Sequence, residues 1–315
     1  MTAPVQPQFR NPGPTWGCAF LAHAQRFLPG WLLWGPLAFL TWVAVARLPE
    51  QRGHSLAYLS MILGRPAGRR DVWRHFFSYL EFLLLRLKTA RGAPAVCKLD
   101  PEHAGGFEAL MQSSEPALFG TFHFGHSDLL GFLLARHDRR VAMVRLRVAN
   151  SVDTEMLERQ FANAVSFIWV NEPANLLFAM KGAIDRGDSL AMQCDRLFSS
   201  RTESFGFLGA RRLFPFAIYH LAVLFNRPVM FCVGLPDGKR GTRVVASPLF
   251  RTDLSASREE NLQRARHHFQ AVLVRLETLV RQYPYLLFNF LPLNPVVAPI
   301  RAAESATSLV PSGPD

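Results

Sequence analysis

From about residue 100 onward the chain alternates short apolar runs with longer stretches of helical periodicity, and few folds accommodate that alternation. The runs at 117–122, 141–146, 165–170, 188–193 and 228–233 read as buried strands, with an edge strand at 243–247. Helical segments at 102–112, 127–137, 151–162, 174–186 and 214–226 separate most of them. Strand followed repeatedly by helix builds a mainly parallel central sheet covered by helices, so the expected fold class is α/β. Residues 257–282 add a long helix rich in Arg and Leu, and the Pro-, Ser- and Gly-containing tail from Pro295 is expected to be disordered.

Upstream of residue 100 the pattern differs. Residues 1–15 carry several prolines and no periodicity, and are expected to be a flexible arm. An amphipathic segment runs from Trp16 to Phe27, and Pro29-Gly30 ends it. The stretch 31–46 then holds no charge at all and includes Trp31, Trp34 and Trp42. It is shorter than the ~20 residues of an upright membrane helix and contains Pro36, so two forms suit it. It is either an interfacial or shallowly inserted helix, as its Trp content favours, or a helix buried on all sides. It lacks the basic lead and cleavage site of a secretory signal. Arg47, Arg52, Arg65, Arg69, Arg70 and Arg74 follow it, and if it spans a bilayer that bias places the rest of the chain on the cytoplasmic side. Helices are expected at 54–63 and 71–90, the latter with Val72, Phe76, Leu80, Leu83, Leu84 and Leu87 at helical spacing. The expected division is therefore an arm at 1–15, a helical membrane-associated part at 16–94, an α/β domain at 95–293 and a tail at 294–315.

The chain carries 35 Lys and Arg against 24 acids, a net charge of +11. Such an excess suits nucleic acid, an anionic membrane surface or an acidic carrier. Nucleic acid is the poorest fit, because the aromatics are mostly Phe in apolar runs and no recognition motif is present. Cys18, Cys97, Cys194 and Cys232 show no metal-ligand spacing and read as buried thiols of a reducing compartment.

The residues that carry chemistry lie at Leu118-Phe-Gly-Thr-Phe-His123-Phe-Gly-His-Ser-Asp128 and the apolar segment after it. His123 and Asp128 sit where a strand hands over to a helix capped by Ser127 or Asp128, at the carboxyl edge of the sheet, where open α/β sheets bind ligands. An Asp bonded to one imidazole nitrogen fixes the tautomer and leaves the other as a general base. The alternative is a satisfied loop histidine. The spacing alone is weak, since His103 and Glu108 repeat it at the start of a surface helix. Context favours His123, which follows a buried strand and precedes Gly125, a position that allows close backbone or substrate approach. Such a His–Asp pair is a general base for a hydroxyl or amine supplied by the substrate, so no enzyme nucleophile is required, and no GxSxG elbow is present. His123, His126 and Asp128 could hold a metal only if all three turned to one side, and no further ligand is in sight. No cofactor is implied.

Three blocks in order are more specific. After Phe122-His123-Phe-Gly-His-Ser-Asp128 come Val144-Arg145-Leu-Arg147-Val-Ala-Asn150-Ser-Val-Asp153 and Gly187-Asp-Ser-Leu-Ala-Met-Gln-Cys-Asp195-Arg196. Phe205-Gly-Phe-Leu-Gly209-Ala-Arg-Arg-Leu-Phe-Pro215 and Leu221-Ala-Val-Leu-Phe-Asn-Arg-Pro228-Val229 follow. Together they resemble the His-x4-Asp/Glu acyltransferases of the lysophospholipid acyltransferase superfamily, nearest to the bacterial lipid A late (lauroyl/myristoyl) acyltransferase branch. That branch usually carries Glu where this chain has Asp128, and other residues where it has Arg196 and Leu197. The resemblance implies an acyltransferase on the cytoplasmic face of a bacterial inner membrane. It would move a fatty acyl group from acyl carrier protein or acyl-CoA to a hydroxyl or amine of a membrane lipid or glycolipid. It implies His123 as general base and Asp128 as the group that orients it. Arg145 and Arg147 would contact phosphate or the carrier, or else form a solvated basic face. Asp195 would support the site with Arg196 beside it, or be a strand-end turn. Gly209 and Pro215 would shape the acceptor groove, Pro215 in the first turn of a helix. The rival from another class is a non-catalytic, membrane-bound lipid-binding or scaffold protein with the same fold.

Overall fold

The computed structural model describes residues 30–89, 91, 96–134, 139–147, 152–171, 175–197, 201–238, 241–288 and 290–299, with Phe20, His23, Ala24 and Phe27. The expected arm at 1–15, most of the helix at 16–27, Cys18 and residues 300–315 lie outside them.

Three helices come first: α1 (Gly30–Arg47), α2 (Pro49–Leu63) and α3 (Arg69–Thr89). The uncharged α1 turns Leu33, Leu37, Thr41 and Val45 inward at a four-residue spacing. Its other side leaves Leu32, Trp34, Phe39, Trp42 and Val43 exposed. It is therefore not buried all round. Leu33 and Leu37 pack with Phe77, Leu84 and Leu87 of α3.

The alternating region forms a seven-stranded sheet in the order β1-β9-β8-β2-β5-β3-β4. These strands are β1 (Val96–Leu99), β2 (Leu118–Thr121), β3 (Val141–Arg145), β4 (Val165–Trp169), β5 (Ser189–Gln193), β8 (Val229–Asp237) and β9 (Gly241–Ala246). Pairing is parallel from β8 through β2, β5 and β3 to β4, and antiparallel only between β8 and β9. The expected edge strand near 243–247 is an internal strand, because the short, mostly exposed β1 pairs outside it.

Strand parity divides the core. Leu118, Phe122, Ala142, Val144, Leu190, Phe231 and Val233 face one side, where Met180, Ile184, Ile218, Tyr219, Phe269 and Leu273 cover them. Phe119, Met143, Ala191, Met230 and Cys232 face the other, against Phe107, Leu110, Leu129, Leu130, Leu134 and Phe82. The covering helices are α4 (Ala104–Gln112), α5 (Leu130–Leu134), α6 (Val152–Gln160), α7 (Leu176–Asp185), α8 (Ala217–Phe225) and α9 (Arg258–Gln282). Each buried Leu or Phe contributes about 1.5–3 kcal/mol relative to exposure. The start of α9 is fixed by a reciprocal capping box between Ser257 and Glu260.

A second sheet, β10-β7-β6, was not expected. Its strands β6 (Thr202–Phe207) and β7 (Ala210–Pro215) form an antiparallel hairpin with a two-residue turn. Leu208 and Gly209 in that turn both have positive φ, 52° and 73°. This is the turn whose twist suits a hairpin. Pro215 thus closes a strand rather than opening a helix, and α8 begins at Ala217 with Phe216 as its N-cap. The third strand, β10 (Val296–Pro299), lies within the stretch expected to be disordered. Cys194 and Cys232 are buried, but Cys97 sits exposed on β1, against expectation.

Candidate active site

The carboxyl edge of the parallel strands brings together residues far apart in sequence. In the β2–β5 register Thr121 pairs with Gln193, and the Cys194 N–H donates to the Thr121 carbonyl just beyond. Two residues past that last pair stand His123 and Asp195. His123 Nδ1 lies 2.8 Å from Oδ1 and 3.0 Å from Oδ2 of Asp195, and the His123 backbone N–H donates to Oδ2 at 2.8 Å. A carboxylate only accepts, so Nδ1 carries the proton and Nε2 is left as the basic nitrogen. Asp195 is buried. Burial works to raise its pKa, but the charge attraction and hydrogen bonds of His123 outweigh that and hold it below the usual carboxylate range.

Asp128 does not orient His123. The chain turns through a short 3-10 helix, Ser127–Leu129, and swings the Asp128 carboxylate over the sheet face instead. There Arg86 of α3 pairs with Oδ2 at 2.8 Å, and Arg145 Nη2 donates to Oδ1 and Oδ2 at 3.1 and 3.2 Å. Gln193 Nε2 donates to Oδ1 at 3.1 Å. By strand parity Thr121, Gln193 and Arg145 share that face, which is why one carboxylate meets two of them. Burial works to raise the pKa of Asp128, and the charges of Arg145 and Arg86 override it, so the group is ionised. Neither Ser127 nor Asp128 caps the helix as expected. The N-cap is His126, and Ser127 points inward, donating to the Phe124 carbonyl at 2.5 Å and accepting from the Gly234 N–H at 3.0 Å.

The loop carrying His123 is held by backbone on two sides. Gly125 N–H donates to Leu286 O, Phe288 N–H donates to His123 O, and His126 N–H donates to Gly234 O, each at 2.7 Å. Gly125 has φ of 55°, and a Cβ there would fall 2.3 Å from the Gly234 carbonyl oxygen. The close approach expected at Gly125 is thus an approach of backbone to backbone. The strip around residues 286–288 is tied in turn to the N-terminal helices. His75 Nε2 meets Leu287 O at 2.8 Å, its Nδ1 meets Ser55 Oγ at 2.8 Å, and Phe288 stacks on Phe82 with ring centroids 5.4 Å apart.

His126 goes to neither His123 nor a metal arrangement: its Nδ1 bonds Thr242 Oγ1 at 2.8 Å and its ring stacks on Phe82. Among the described residues no group of three or more His, Cys, Asp or Glu is placed to hold a metal ion. Burial pushes His75 and His126 down to about 4, the Leu287 carbonyl partly opposing this at His75. Both are neutral in the fold and gain protons on unfolding below about 6.5. Stability is therefore complete above that pH and falls as pH drops from about 6.5 towards about 4, by roughly 3 kcal/mol per histidine. Urea titrations at about pH 7.5 and about pH 4.5 should show the loss, and His75→Gln should show less of it. Equal pH dependence in the variant would remove His75 from that account.

Beside this edge lies a cavity of about 560 Å³ between the sheet, α4 and α5. Phe107, Phe119, Leu130, Leu134, Met143 and Ala191 supply apolar wall, and Thr121, Asp128, Arg145 and Gln193 supply a polar end. The remaining expected residues divide. Arg196 acts on Asp195 as a nearby positive charge. Arg147 lies over the Trp169 ring, 4.6 Å from its centroid, and its backbone N–H donates to Asn171. Gly209 sits at the β6–β7 hairpin tip and Pro215 at the end of β7, and neither lines the cavity. Sequence reasoning missed Arg86 and Gln193. Arg86 carried a signal: it continues the buried stripe Val72, Phe76, Phe82 of α3, and a charge on such a stripe needs a buried partner.

No family model matches the sequence, and no curated protein matches it. Among solved structures, the 1-acyl-sn-glycerophosphate (LPA) acyltransferase PlsC from Thermotoga maritima is similar over 76% of this chain and 95% of that chain. The identity is 11% and the TM-score 0.37. A likeness this loose transfers no residue role, and the chemistry stands on the side chains themselves.

Proposed function

We propose that the chain is an acyltransferase, moving a fatty acyl group from an acyl thioester to a hydroxyl or amine of a lipid. The observation that carries this is the His123–Asp195 pair at the carboxyl edge, next to an apolar cavity with a polar end. His123 Nε2 takes the acceptor's proton as its oxygen or nitrogen attacks the thioester carbonyl, and Asp195 stabilises the imidazolium. When the tetrahedral intermediate collapses, the C–S bond breaks and the imidazolium returns the proton to the departing thiolate. The acyl chain occupies the cavity, whose volume lies within the ~300–1,000 Å³ of ordinary ligand sites. The three sequence blocks favour acyl carrier protein or acyl-CoA as donor and a membrane glycolipid or lysophospholipid as acceptor. Purified protein given labelled acyl donor and bacterial lipid should form a new acyl lipid, and His123→Ala should abolish it while keeping the wild-type circular dichroism. Turnover unchanged in that variant would end the role of His123 and favour the non-catalytic lipid-binding reading.

We further propose that the protein works on the cytoplasmic, anionic surface of a bacterial membrane. Among the described residues no single helix is long and apolar enough to cross a bilayer, and α1 with α2 passes only as a pair bent by 98°. The exposed Leu32, Trp34, Phe39, Trp42 and Val43 suit shallow insertion, and Arg47, Arg69 and Arg70 suit anionic headgroups. Wild-type protein should sediment with phosphatidylglycerol-containing vesicles, and a variant with Trp34, Phe39 and Trp42 changed to Ser should stay in the supernatant. Equal sedimentation of both would overturn this placement.

A further inference from the structure

Helix α3 grips the site with one stripe of side chains. His75, Tyr79, Phe82 and Arg86 follow one another at helical spacing and share one face. His75 Nε2 meets the Leu287 carbonyl at 2.8 Å, Tyr79 sets its ring edge-on to Phe288 with centroids 5.5 Å apart, and Arg86 pairs with Asp128. Phe82 stands in the middle of the stripe and is 5% exposed. Its ring lies nearly parallel to two others, 16° from His126 at 5.8 Å and 18° from Phe288 at 5.4 Å. Those two rings belong to the two segments that hold the general base. His126 lies on the His123 loop itself, and the Phe288 N–H donates to the His123 carbonyl at 2.7 Å. A different stripe of α3, with Phe77, Leu84 and Leu87, packs against Leu33 and Leu37 of α1.

The imidazole depends on that grip. Its Nδ1 keeps its proton by staying 2.8 Å from the carboxylate of Asp195, which stands on a separate segment past β5. A shift of the loop by about 1 Å would stretch that bond beyond hydrogen-bond range, and a misplacement of that size costs about 10²-fold in rate. We infer that Phe82 is a positioning residue for the general base: by packing on both His126 and Phe288 it fixes where His123 stands. Helix α3 precedes the alternating region in sequence, yet through this stripe it belongs to the catalytic body. The rate effect rests on the proposed transfer. The placement of His123 does not, and it can be read without turnover.

Phe82→Ala should lower kcat for acyl transfer about 10²-fold and leave KM within about twofold of wild type. Nitrogen NMR of histidine-labelled protein gives the second reading. Wild type should show one His123 tautomer with its proton on Nδ1, a signal absent from His123→Ala. In Phe82→Ala that signal should broaden or move towards a mixture of tautomers. His268, bonded to Tyr219 at 2.6 Å on the far face of the sheet, should keep its wild-type signal and show that the fold is intact. Phe77→Ala removes the same kind of ring from the other stripe and should leave the His123 signal unmoved. An unchanged His123 signal or an unchanged kcat in Phe82→Ala, or the same signal change in Phe77→Ala, would overturn the inference. Should Phe82→Ala fail to fold, Phe82→Leu keeps most of the apolar volume without the flat face, and the same signal decides. If wild-type protein transfers no acyl group, the proposed function fails while the His123 signal still tests Phe82.

Discussion

Asp195→Asn should cut acyl transfer by a factor on the order of 10³–10⁴, the loss typical when the carboxylate orienting a catalytic histidine becomes an amide. The geometry explains the size. In the wild type one carboxylate accepts from both the His123 backbone N–H and Nδ1. Asparagine has one acceptor oxygen, and the backbone N–H will hold it. Its amino group then faces Nδ1, which must turn acceptor, and the proton moves to Nε2. The base is lost without moving an atom of the ring. Asp128→Asn should behave differently, because it removes the carboxylate charge on which Arg86 and Arg145 both pair. A stability loss of about 3–5 kcal/mol is expected, with the His123 tautomer intact. Transfer rates and urea midpoints for the two variants distinguish these roles. A fully active Asp195→Asn beside a folded but dead Asp128→Asn would return the orienting role to Asp128.

The largest stability effect is expected at Gly125. Gly125→Ala meets a φ of 55° and the Gly234 carbonyl oxygen at 2.3 Å from the new Cβ. That oxygen already accepts from the His126 N–H, and the Gly125 N–H already donates to Leu286. Relief of the clash therefore breaks one of those bonds or pries the His123 loop from β8. A loss of about 4 kcal/mol or more follows from the strain, the clash and the lost bonds together. Gly209→Ala is the control. Its φ is 73°, but nothing lies within 4 Å of a new Cβ, so it should cost about 1 kcal/mol. Urea denaturation of both variants tests the contrast, and equal costs would mean that the crossing at Gly234 yields freely.

The alternation beyond residue 100 was enough to read the parallel sheet, since the central strands β2, β3, β5 and β8 are buried on both faces and the helices between parallel strands return the chain to the same edge. His123 was legible for the same reason, its place at a strand end being a property of local pattern. Its partner was not. Asp128 is five residues away in sequence, but the 3-10 turn carries it to the sheet face. Asp195 is placed by the β2–β5 register, and register between strands separated by three helices and two other strands is not written in either strand. The β6–β7 hairpin escaped notice because its turn is Leu208-Gly209 rather than Asn-Gly or Asp-Gly. Arg86 escaped because the apolar spacing of α3 invited a reading by its leucines and phenylalanines alone.

The bonds from Leu286 and Phe288 to the His123 loop have a consequence for the protein's biosynthesis. The His123 loop is clasped by residues that leave the ribosome only after the whole of α9. A nascent polypeptide that has completed every parallel strand and both members of the His123–Asp195 pair still lacks the clasp. The shape of the His123 loop therefore waits until residue 288 has emerged, and closing contacts of such long sequence separation is slow. A fragment ending near residue 280 would carry His123, Asp128, Arg145 and Asp195 and still lack the bonds from Leu286 and Phe288 that shape the His123 loop.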